Sequence, residues 1–208
     1  MIYQKMKEWL IVAGKKKVGV LALQGGVREH LKSLNQLKNV QGIKIKYPDQ
    51  LPEVDALIIP GGESTTISKL LKKYNFIQAI KLLNQKQKPI WGTCAGLILL
   101  AKKVINADQK KSIPETLGFI DITVKRNSYG SQLNSFICKQ SIKKISPQPI
   151  ELVFIRAPII SKVGSQVKVI AKVEDEIVAA EQENIIVTSF HPELTDDIKT
   201  HQYFIEKI

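Results

Sequence analysis

The sequence predicts an α/β fold in which helices cover a mostly parallel central sheet. Short apolar runs, typical of strands buried on both faces, alternate with segments whose apolar residues recur at helical spacing. This alternation extends from residue 18 to residue 103 and indicates βαβ units with right-handed crossovers. Folds of this kind bind ligands beyond the carboxyl ends of their strands. Gln24, the pair Gly61-Gly62 and Cys94 each follow such an end, so we expect them to meet at one edge of the sheet.

The composition fits one globular domain. A chain of 208 residues with 44% apolar residues can bury one substantial core. The basic segment 1–17 is predicted to be a disordered tail, and residues 18–208 are predicted to form the domain. The two cysteines do not form the pattern of a disulfide framework or a metal cluster, so we expect a reducing, cytoplasmic compartment and neither metal nor cofactor. A membrane role is not expected, because no apolar run approaches the roughly 18 residues that span a bilayer.

The net charge of +12 raises nucleic acid as a partner, but the type of basic residue argues against it. Of the 31 basic residues only Arg28, Arg126 and Arg156 are arginines, whereas base readout and phosphate binding favour arginine. The lysines are scattered through the chain without interleaved aromatic residues. We interpret them as a solvated surface and expect no nucleic-acid partner.

The first strand is predicted over residues 18–23, and the turn Gln24-Gly25-Gly26 leads from it into a helix over residues 27–38. The turn lacks the G-x-G-x-x-G spacing of a phosphate cradle. His30 lies on this helix beside Glu29, and we interpret it as a surface or interface residue rather than a catalyst.

The next strands are predicted over residues 43–47 and 56–59, with a loop over 48–55 between them. The second of them runs into Pro60-Gly61-Gly62-Glu63-Ser64-Thr65-Thr66, where Ser64 or Thr65 is expected to cap the following helix. At a strand end the N–H groups of Gly61-Gly62 can point into a cleft and stabilise an oxyanion, although a plain tight turn would have the same sequence. A further amphipathic helix is predicted over residues 75–86.

A short strand over residues 89–91 then meets Gly92-Thr93-Cys94-Ala95-Gly96 and an apolar helix over residues 95–103. Glycines two residues on either side of Cys94 permit the sharp bend of a nucleophile elbow. A thiol at this point lies at a helix N-terminus, where unpaired N–H groups and the helix dipole stabilise a thiolate. The alternative is a buried, inert cysteine.

The second half of the chain is predicted to consist of short strands and one final helix. Arg126 and Arg156 each follow a strand, where a guanidinium can bind a carboxylate or form an ordinary surface ion pair. Cys138 lies in a strand pattern and is interpreted as merely buried. The strands are predicted over residues 120–125, 135–138, 152–155, 167–173, 177–180 and 185–190, and the helix over residues 195–207.

The last strand ends in Phe190-His191-Pro192-Glu193-Leu194. Residues i and i+2 of an extended segment project to the same side, so the Glu193 carboxylate can orient the His191 imidazole. A lone structural histidine is the alternative, but a His-x-Glu pair opposite a cysteine elbow indicates the base and its orienting acid in a catalytic triad.

Together these motifs resemble the class I (triad) glutamine amidotransferases, and among them the glutaminase subunits of pyridoxal 5'-phosphate synthase. The resemblance extends from residue 18 to the end of the chain. The motifs that carry it are Leu23-Gln24-Gly25, Pro60-Gly61-Gly62-Glu63-Ser64-Thr65-Thr66, Gly92-Thr93-Cys94-Ala95-Gly96, Val124-Lys125-Arg126-Asn127, Phe154-Ile155-Arg156-Ala157-Pro158 and Phe190-His191-Pro192-Glu193-Leu194. One departure is Ser131, which stands where many relatives have arginine.

The resemblance implies a three-layer α/β/α flavodoxin-like fold and an enzyme that hydrolyses L-glutamine to L-glutamate and ammonia through a cysteine thioester. It makes Cys94 the nucleophile, His191 the general base and acid, and Glu193 the orienting acid. Our candidates for the oxyanion hole are the N–H groups of Gly62 and Ala95. The residues that the resemblance places around the glutamine are Gly61, Gly62, Glu63, Arg126, Ile155 and Arg156.

The resemblance also implies a partner, a synthase subunit that receives the ammonia through an interior channel of a hetero-oligomer. We expect docking through the first helix and the Gln24-Gly25 loop, with low activity of the isolated chain. We further expect the Gly61-Gly62 peptide to be able to turn its N–H away from the oxyanion. The competing class is another hydrolase on a cysteine elbow, of the DJ-1 or PfpI type, but its histidine would directly follow the cysteine, where this chain has Ala95.

Overall fold

The computed structural model describes residues 14–106, 113–126 and 135–208. Residues 1–13 of the predicted tail, and Asn127 and Ser131 of the motifs above, lie outside the described residues. The first strand begins at Lys16, two residues before the predicted start of the domain. Within the described ranges, none of the helices combines the length and the apolar character needed to cross a membrane.

Strands and helices alternate through the first half of the chain, as predicted. A 3-10 helix over Pro48–Glu53 occupies the predicted loop. The strands are β1 (Lys16–Leu21), β2 (Val40–Ile45), β3 (Ala56–Ile59) and β4 (Ile90–Thr93), and the helices are α1 (Val27–Asn35), α2 (Ser64–Lys73), α3 (Phe76–Gln85) and α4 (Ala95–Leu100).

The second half is mostly strand and ends in helix α5 (Lys199–Ile205). A 3-10 turn over Pro192–Leu194 precedes this helix, which is shorter than predicted. The strands are β5 (Ala101–Asn106), β6 (Ile120–Arg126), β7 (Ser135–Ile142), β8 (Ser146–Ile155), β9 (Ile159–Val163), β10 (Lys168–Val173), β11 (Glu176–Gln182) and β12 (Ile185–Thr188).

Strands β5 and β9 were not predicted. Helix α4 ends at Leu100 rather than near residue 103, and the chain turns at once into β5 with extended backbone at Ala101. Every residue of α4 is buried, so its sequence has no polar face whose periodicity could mark the end of the helix. Strand β9 has only five residues, and it is defined by antiparallel pairing with β6 and β11, which are distant in sequence.

The central sheet confirms the predicted α/β class. Strands β2, β1, β3, β4 and β12 lie side by side in that order and are all parallel. This is the flavodoxin-like strand order, whose direction of winding reverses between β1 and β3. The sheet continues through the antiparallel strands β11, β9 and β6 to β5, and β10 pairs with β11, while β7 and β8 form a separate antiparallel pair.

Helices pack on both faces of the parallel strands, which completes the three layers. Leu57 and Ile59 of β3 belong to a core cluster with buried residues of α2, α3 and α4. The alternate residues Ala56 and Ile58 belong to a second cluster, which contains buried residues of α1 and α5. Because successive side chains of a strand point to opposite faces, this apolar strand must be covered on both sides.

A third apolar cluster supports the strand ends that approach the cysteine. Phe154 of β8 stacks on Phe136 of β7 with a centroid separation of 4.5 Å, and it meets the edge of Phe190 at 5.9 Å. Phe190 precedes His191, and Phe154 precedes Ile155. The hairpin formed by β7 and β8 therefore fixes two neighbours of the predicted site through aromatic packing.

Glu181 of β11 holds helix α5 against the sheet. Its carboxylate accepts hydrogen bonds from the Tyr203 hydroxyl at 2.5 Å, from Lys207 at 2.9 Å and from Lys144 at 2.6 Å. Burial opposes ionisation of this carboxyl group, but the three donors outweigh it and lower the pKa of Glu181 to about 2. Its ionised form is therefore more stable in the folded protein than in the unfolded chain.

We expect Glu181→Gln to lower the free energy of unfolding at pH 7 by about 1 to 3 kcal/mol, because an amide cannot replace the charge that the lysines pair with. The folded pKa lies below the ordinary value, so this contribution is complete above the unfolded pKa and is lost as the pH falls toward about 2. The difference between wild type and variant should therefore shrink in urea titrations performed from pH 6 down to pH 3. Glu176→Gln, at an exposed position of the same strand, is the matched control. A difference that does not change with pH would contradict this account.

Candidate active site

Cys94 lies at a sharp elbow between β4 and α4. Its φ of +48° falls in the left-handed region, which non-glycine residues rarely adopt. The elbow depends on the flanking glycines: a Cβ added at Gly96 would lie 2.0 Å from the Ile59 carbonyl oxygen, and one added at Gly92 would lie 2.5 Å from the carbonyl carbon of Gly96. The Cys94 N–H donates to the Thr188 carbonyl at 2.8 Å, which ties the elbow to the adjacent strand β12. The strained backbone is thus held by packing on several sides.

His191 and Glu193 form a buried pair beside this elbow. The Nδ1 atom of His191 is 2.8 Å from Oε1 of Glu193, and the His191 N–H donates to the Val153 carbonyl at 2.8 Å. The pair was predicted from an extended segment, but Glu193 lies in the 3-10 turn that begins at Pro192. The side chains therefore meet because the chain turns between them, not because a strand projects both to one side.

The surroundings of His191 favour its protonated form. Burial alone would lower its pKa, but hydrogen bonds to Cys94 and Glu193 outweigh burial and raise the pKa to about 10. Burial also opposes ionisation of Glu193, yet the electrostatic interaction with His30, together with the hydrogen bond and charge of His191, holds the pKa of Glu193 below its ordinary value. At neutral pH the pair is an imidazolium held by a carboxylate, with Sγ of Cys94 as the other neighbour of the ring.

Gly61 makes room for this arrangement. A Cβ added at Gly61 would lie 2.4 Å from Cε1 of His191 and 3.3 Å from Cβ of Cys94. The ring and the nucleophile elbow therefore converge on the Gly61 backbone, and a side chain at this position would separate them.

The Gly61-Gly62 peptide is held at its carbonyl end. The Gly61 carbonyl accepts from the Gly26 N–H at 3.3 Å, and it passes so close to Gly25 that a Cβ there would lie 1.6 Å from the oxygen. The Gly61 N–H donates to Oγ1 of Thr93 at 3.0 Å. Within the described part of the chain, the Gly62 N–H donates to no acceptor. It is available to a ligand in the adjoining cavity, which Gly62 lines.

A cavity of about 550 Å³ opens in front of Cys94 and His191. Gly61 and Glu193 are not among its lining residues. Residues that we did not single out as substrate contacts also line it, namely Gln24, Ser64, Ile98 and Pro158. The predicted site residues that line it are Gly62, Glu63, Cys94, Ala95, Arg126, Ile155, Arg156 and His191.

Glu63, rather than one of its neighbours, caps the N-terminus of helix α2. Its carboxylate caps helix α2 by accepting from the Thr65 N–H at 3.0 Å and the Thr66 N–H at 2.6 Å, so the predicted cap at Ser64 or Thr65 is wrong. Burial opposes ionisation, but these hydrogen bonds lower the pKa of Glu63 to about 2. Nη2 of Arg126 lies 3.5 Å from Oε1 of Glu63, so opposite charges meet at the wall of the cavity.

Two further interpretations can be compared with the structure. His30 was interpreted as a surface or interface residue, which is wrong, because its side chain is completely buried. The helical spacing of His30 with the buried Leu34 was the signal that we did not use. Cys138 is partly buried against the third core cluster, and it and Cys94 are both free thiols.

The chain is similar to proteins of known family along most of its length. Residues 20–208 match the family model described as the SNO glutamine amidotransferase family. This chain belongs to that family. The chain is similar to a protein named pyridoxal 5'-phosphate synthase subunit PdxT in Caldanaerobacter subterraneus subsp. tengcongensis, which is 50% identical over 189 residues, or 91% of this chain and 97% of the relative. The protein of the same name in Clostridium botulinum is 49% identical over 191 residues, or 92% of this chain and 96% of the relative.

Solved structures agree with this amidotransferase assignment. A crystal structure described as a glutamine amidotransferase has a TM-score of 0.83 and 38% identity, and covers 91% of this chain and 97% of its own. A glutamine amidotransferase from Thermotoga maritima, with a TM-score of 0.59 and 18% identity over 92% of this chain and 81% of its own, shares the fold. The resemblance identified from the motifs is therefore confirmed. The DJ-1 or PfpI alternative is not favoured, and the histidine beside Cys94 comes from a distant segment of the chain.

Proposed function

We propose that this chain is the glutaminase subunit of a pyridoxal 5'-phosphate synthase, which hydrolyses L-glutamine to L-glutamate and ammonia for a synthase subunit. The observation that carries the proposal is the convergence of Cys94 with the His191–Glu193 pair at one cavity. This arrangement occurs in a chain that is about half identical to proteins named for that enzyme.

In the first half of the reaction the Cys94 thiolate attacks the side-chain amide carbon of glutamine. The developing oxyanion accepts hydrogen bonds from the N–H groups of Gly62 and Ala95, two residues that line the cavity with Cys94. His191, which the raised pKa keeps protonated, gives its proton to the leaving nitrogen. The carbon–nitrogen bond breaks, ammonia departs, and a γ-glutamyl thioester remains on Cys94.

In the second half, water hydrolyses the thioester. His191 is now neutral and accepts a proton from the attacking water, so the carbon–sulfur bond breaks and glutamate leaves. The restored proton on His191 and the thiolate on Cys94 return the site to its starting state. Glu193 holds Nδ1 of His191 at 2.8 Å throughout and stabilises the imidazolium.

The charged walls of the cavity suit the amino-acid end of glutamine. Arg126 and Arg156 provide guanidinium groups for the α-carboxylate, and Glu63 provides a carboxylate for the α-ammonium group. Ile155 contributes an apolar side chain to the same wall, and its carbonyl oxygen lies 4.0 Å from Sγ of Cys94. Both ends of the substrate would thus be held while its amide faces the thiol.

The ammonia acceptor is a separate synthase subunit in a hetero-oligomer, reached through an interior channel. The contact between the Gly26 N–H and the Gly61 carbonyl supports docking through α1 and the Gln24-Gly25 loop. A partner that moved this loop would act directly on the peptide whose Gly62 N–H faces the oxyanion. Such a contact gives a physical reason for glutaminase activity that depends on the complex.

The test is ammonia release from L-glutamine by the full chain, alone and with the purified synthase subunit. We expect low activity of the isolated chain and a rise of about tenfold or more on mixing, equivalent to about 1.4 kcal/mol in the barrier. Equal rates in both conditions would contradict the dependence on the partner while leaving the hydrolytic chemistry intact. Absence of ammonia release in both conditions would contradict the proposed function itself.

A further inference from the structure

Two completely buried histidines lie next to the proposed triad and do not line the cavity. His30 of α1 and His201 of α5 face each other, with Nδ1 of His30 at 3.0 Å from Nε2 of His201. Both rings make T-shaped contacts with Trp91, a residue of β4, at centroid distances of 5.6 and 5.1 Å. Burying two polar rings without functional or hydrogen-bonding compensation would cost stability.

The Glu193 carboxylate connects this pair to the site. Its Oε1 is occupied by His191, but its Oε2 is buried and has no hydrogen-bond partner among the described residues. Nε2 of His30 lies 3.5 Å from this oxygen, and it also lies 3.3 Å from Oγ1 of Thr93. A buried carboxylate oxygen requires a donor, and the His30 ring is placed to supply one.

The contacts of His30 select one tautomer. If Nε2 had no proton, its lone pair would face a negatively charged oxygen inside the protein, where such repulsion is poorly screened. With the proton on Nε2, the ring donates toward Glu193, and Nδ1 accepts from Nε2–H of His201. Burial lowers the pKa of His30, and it lowers the pKa of His201 to about 3, which favours the neutral form of each ring.

Thr93 connects the backbone at Gly61 to the same cluster. Its Oγ1 accepts the Gly61 N–H at 3.0 Å and lies 3.3 Å from Nε2 of His30. Thr93 is also the residue immediately before the nucleophile. Nε2 of His30 therefore lies near both the Glu193 carboxylate and the hydroxyl that accepts the Gly61 N–H.

We propose that His30, as the Nε2–H tautomer set by His201, is a positioning residue that holds Oε2 of Glu193 so that Oε1 orients His191. His30 does not line the cavity, so it acts through Glu193 and Thr93 and not on glutamine itself. The proposal rests on the proposed function for its effect on rate. Its geometric content, the proton on Nε2, can be tested without any activity.

Substitutions at residue 30 separate the two ring nitrogens. His30→Gln keeps an amide N–H near the position of Nε2, whereas His30→Asn keeps a polar group near Nδ1 and leaves Glu193 without a donor. Ser33→Ala is the matched control, because Ser33 is buried on the same helix and its hydroxyl donates to the Glu29 carbonyl of that helix. Urea unfolding of each variant separates a loss of stability from a loss of rate.

With the synthase subunit present, we expect His30→Asn to lower kcat by about 10- to 100-fold with little change in KM, since a misplacement of ~1 Å costs on the order of 100-fold. We expect His30→Gln to retain most of the wild-type kcat and Ser33→Ala to match wild type. Equal kcat values for the folded Asn and Gln variants would overturn the positioning role.

Long-range ¹H–¹⁵N NMR spectra of the wild-type protein provide the second readout. The chain has three histidines, so comparison with the spectrum of His30→Gln assigns the His30 ring. We expect a neutral His30 ring that is protonated at Nε2. A ring protonated at Nδ1, or at both nitrogens, would overturn the proposal, and this result does not depend on the activity of any variant. If wild type released no ammonia with its partner, the proposed function would fail, and the NMR result would still decide the tautomer.

Discussion

Cys94→Ala is expected to lower glutamine hydrolysis by about 10⁴-fold or more, because it removes the atom that forms the thioester. The fold should remain, since Cys94 contributes a small side chain whose Sγ contacts the His191 ring and, at 4.0 Å, the Ile155 carbonyl at the wall of the cavity. Alanine keeps the backbone N–H that bonds Thr188. We therefore expect the free energy of unfolding to stay within about 1 kcal/mol of wild type.

The measurement for Cys94→Ala is ammonia release in the presence of the synthase subunit, with urea unfolding for stability. Cys138→Ala is the matched control, because Cys138 is the second free thiol and packs against the cluster around Phe154 rather than lining the cavity. We expect this control to keep full activity. Mass spectrometry after treatment with a glutamine-like electrophile such as acivicin should show one adduct in wild type and in the control, and none in Cys94→Ala. A hydrolysis rate in Cys94→Ala equal to that of wild type would exclude the thioester mechanism.

Gly61→Ala is expected to have the second largest effect, a loss of about 100-fold or more in kcat, although position 61 carries no reactive group. The added methyl would lie 2.4 Å from Cε1 of His191, so the ring must move away from Cys94. The φ of Gly61 is not positive, so the backbone itself tolerates alanine. The damage should therefore arise from the position of the ring and not from backbone strain.

A control for Gly61→Ala is Gly42→Ala in β2, where the new methyl would meet side-chain atoms of Leu31 and Leu34 away from the cavity. This variant should lose some stability and keep its kcat. In Gly61→Ala, a strong loss of ammonia release together with slower alkylation of the Cys94 thiol would support the displacement of His191. If Gly61→Ala instead retained the wild-type kcat, the geometry that joins His191 to Cys94 would be wrong.

Local patterns were sufficient to predict the elements of the parallel sheet and the place of the site. The apolar runs that became β1, β3 and β4 are buried on both faces, and such strands have a strong local signal. The glycines around Cys94 indicated the elbow because its bend depends on residues that are adjacent in sequence. Strand ends of a parallel sheet meet at one edge, so these features could be expected to converge.

Long-range contacts explain the errors at His30 and at strand β9, whereas the error at the cap of α2 is local. His30 looked like an exposed residue beside Glu29, and packing against His201, which is 171 positions away, completes its burial. Residue preference assigned the cap of α2 to a hydroxyl, whereas the Glu63 carboxylate accepts hydrogen bonds from two N–H groups in the first turn of that helix. Strand β9 exists because β6 and β11 provide its hydrogen bonds.

The sequence by itself determined the α/β framework, the cysteine elbow and the His-x-Glu pair, because each depends on the spacing of residues along a short stretch of chain. The tertiary structure decided which groups those residues face. It placed Gly61 between His191 and Cys94, and it placed His30 behind Glu193. These relations depend on the packing of segments from opposite ends of the chain, and local spacing contains no information about the distances between them.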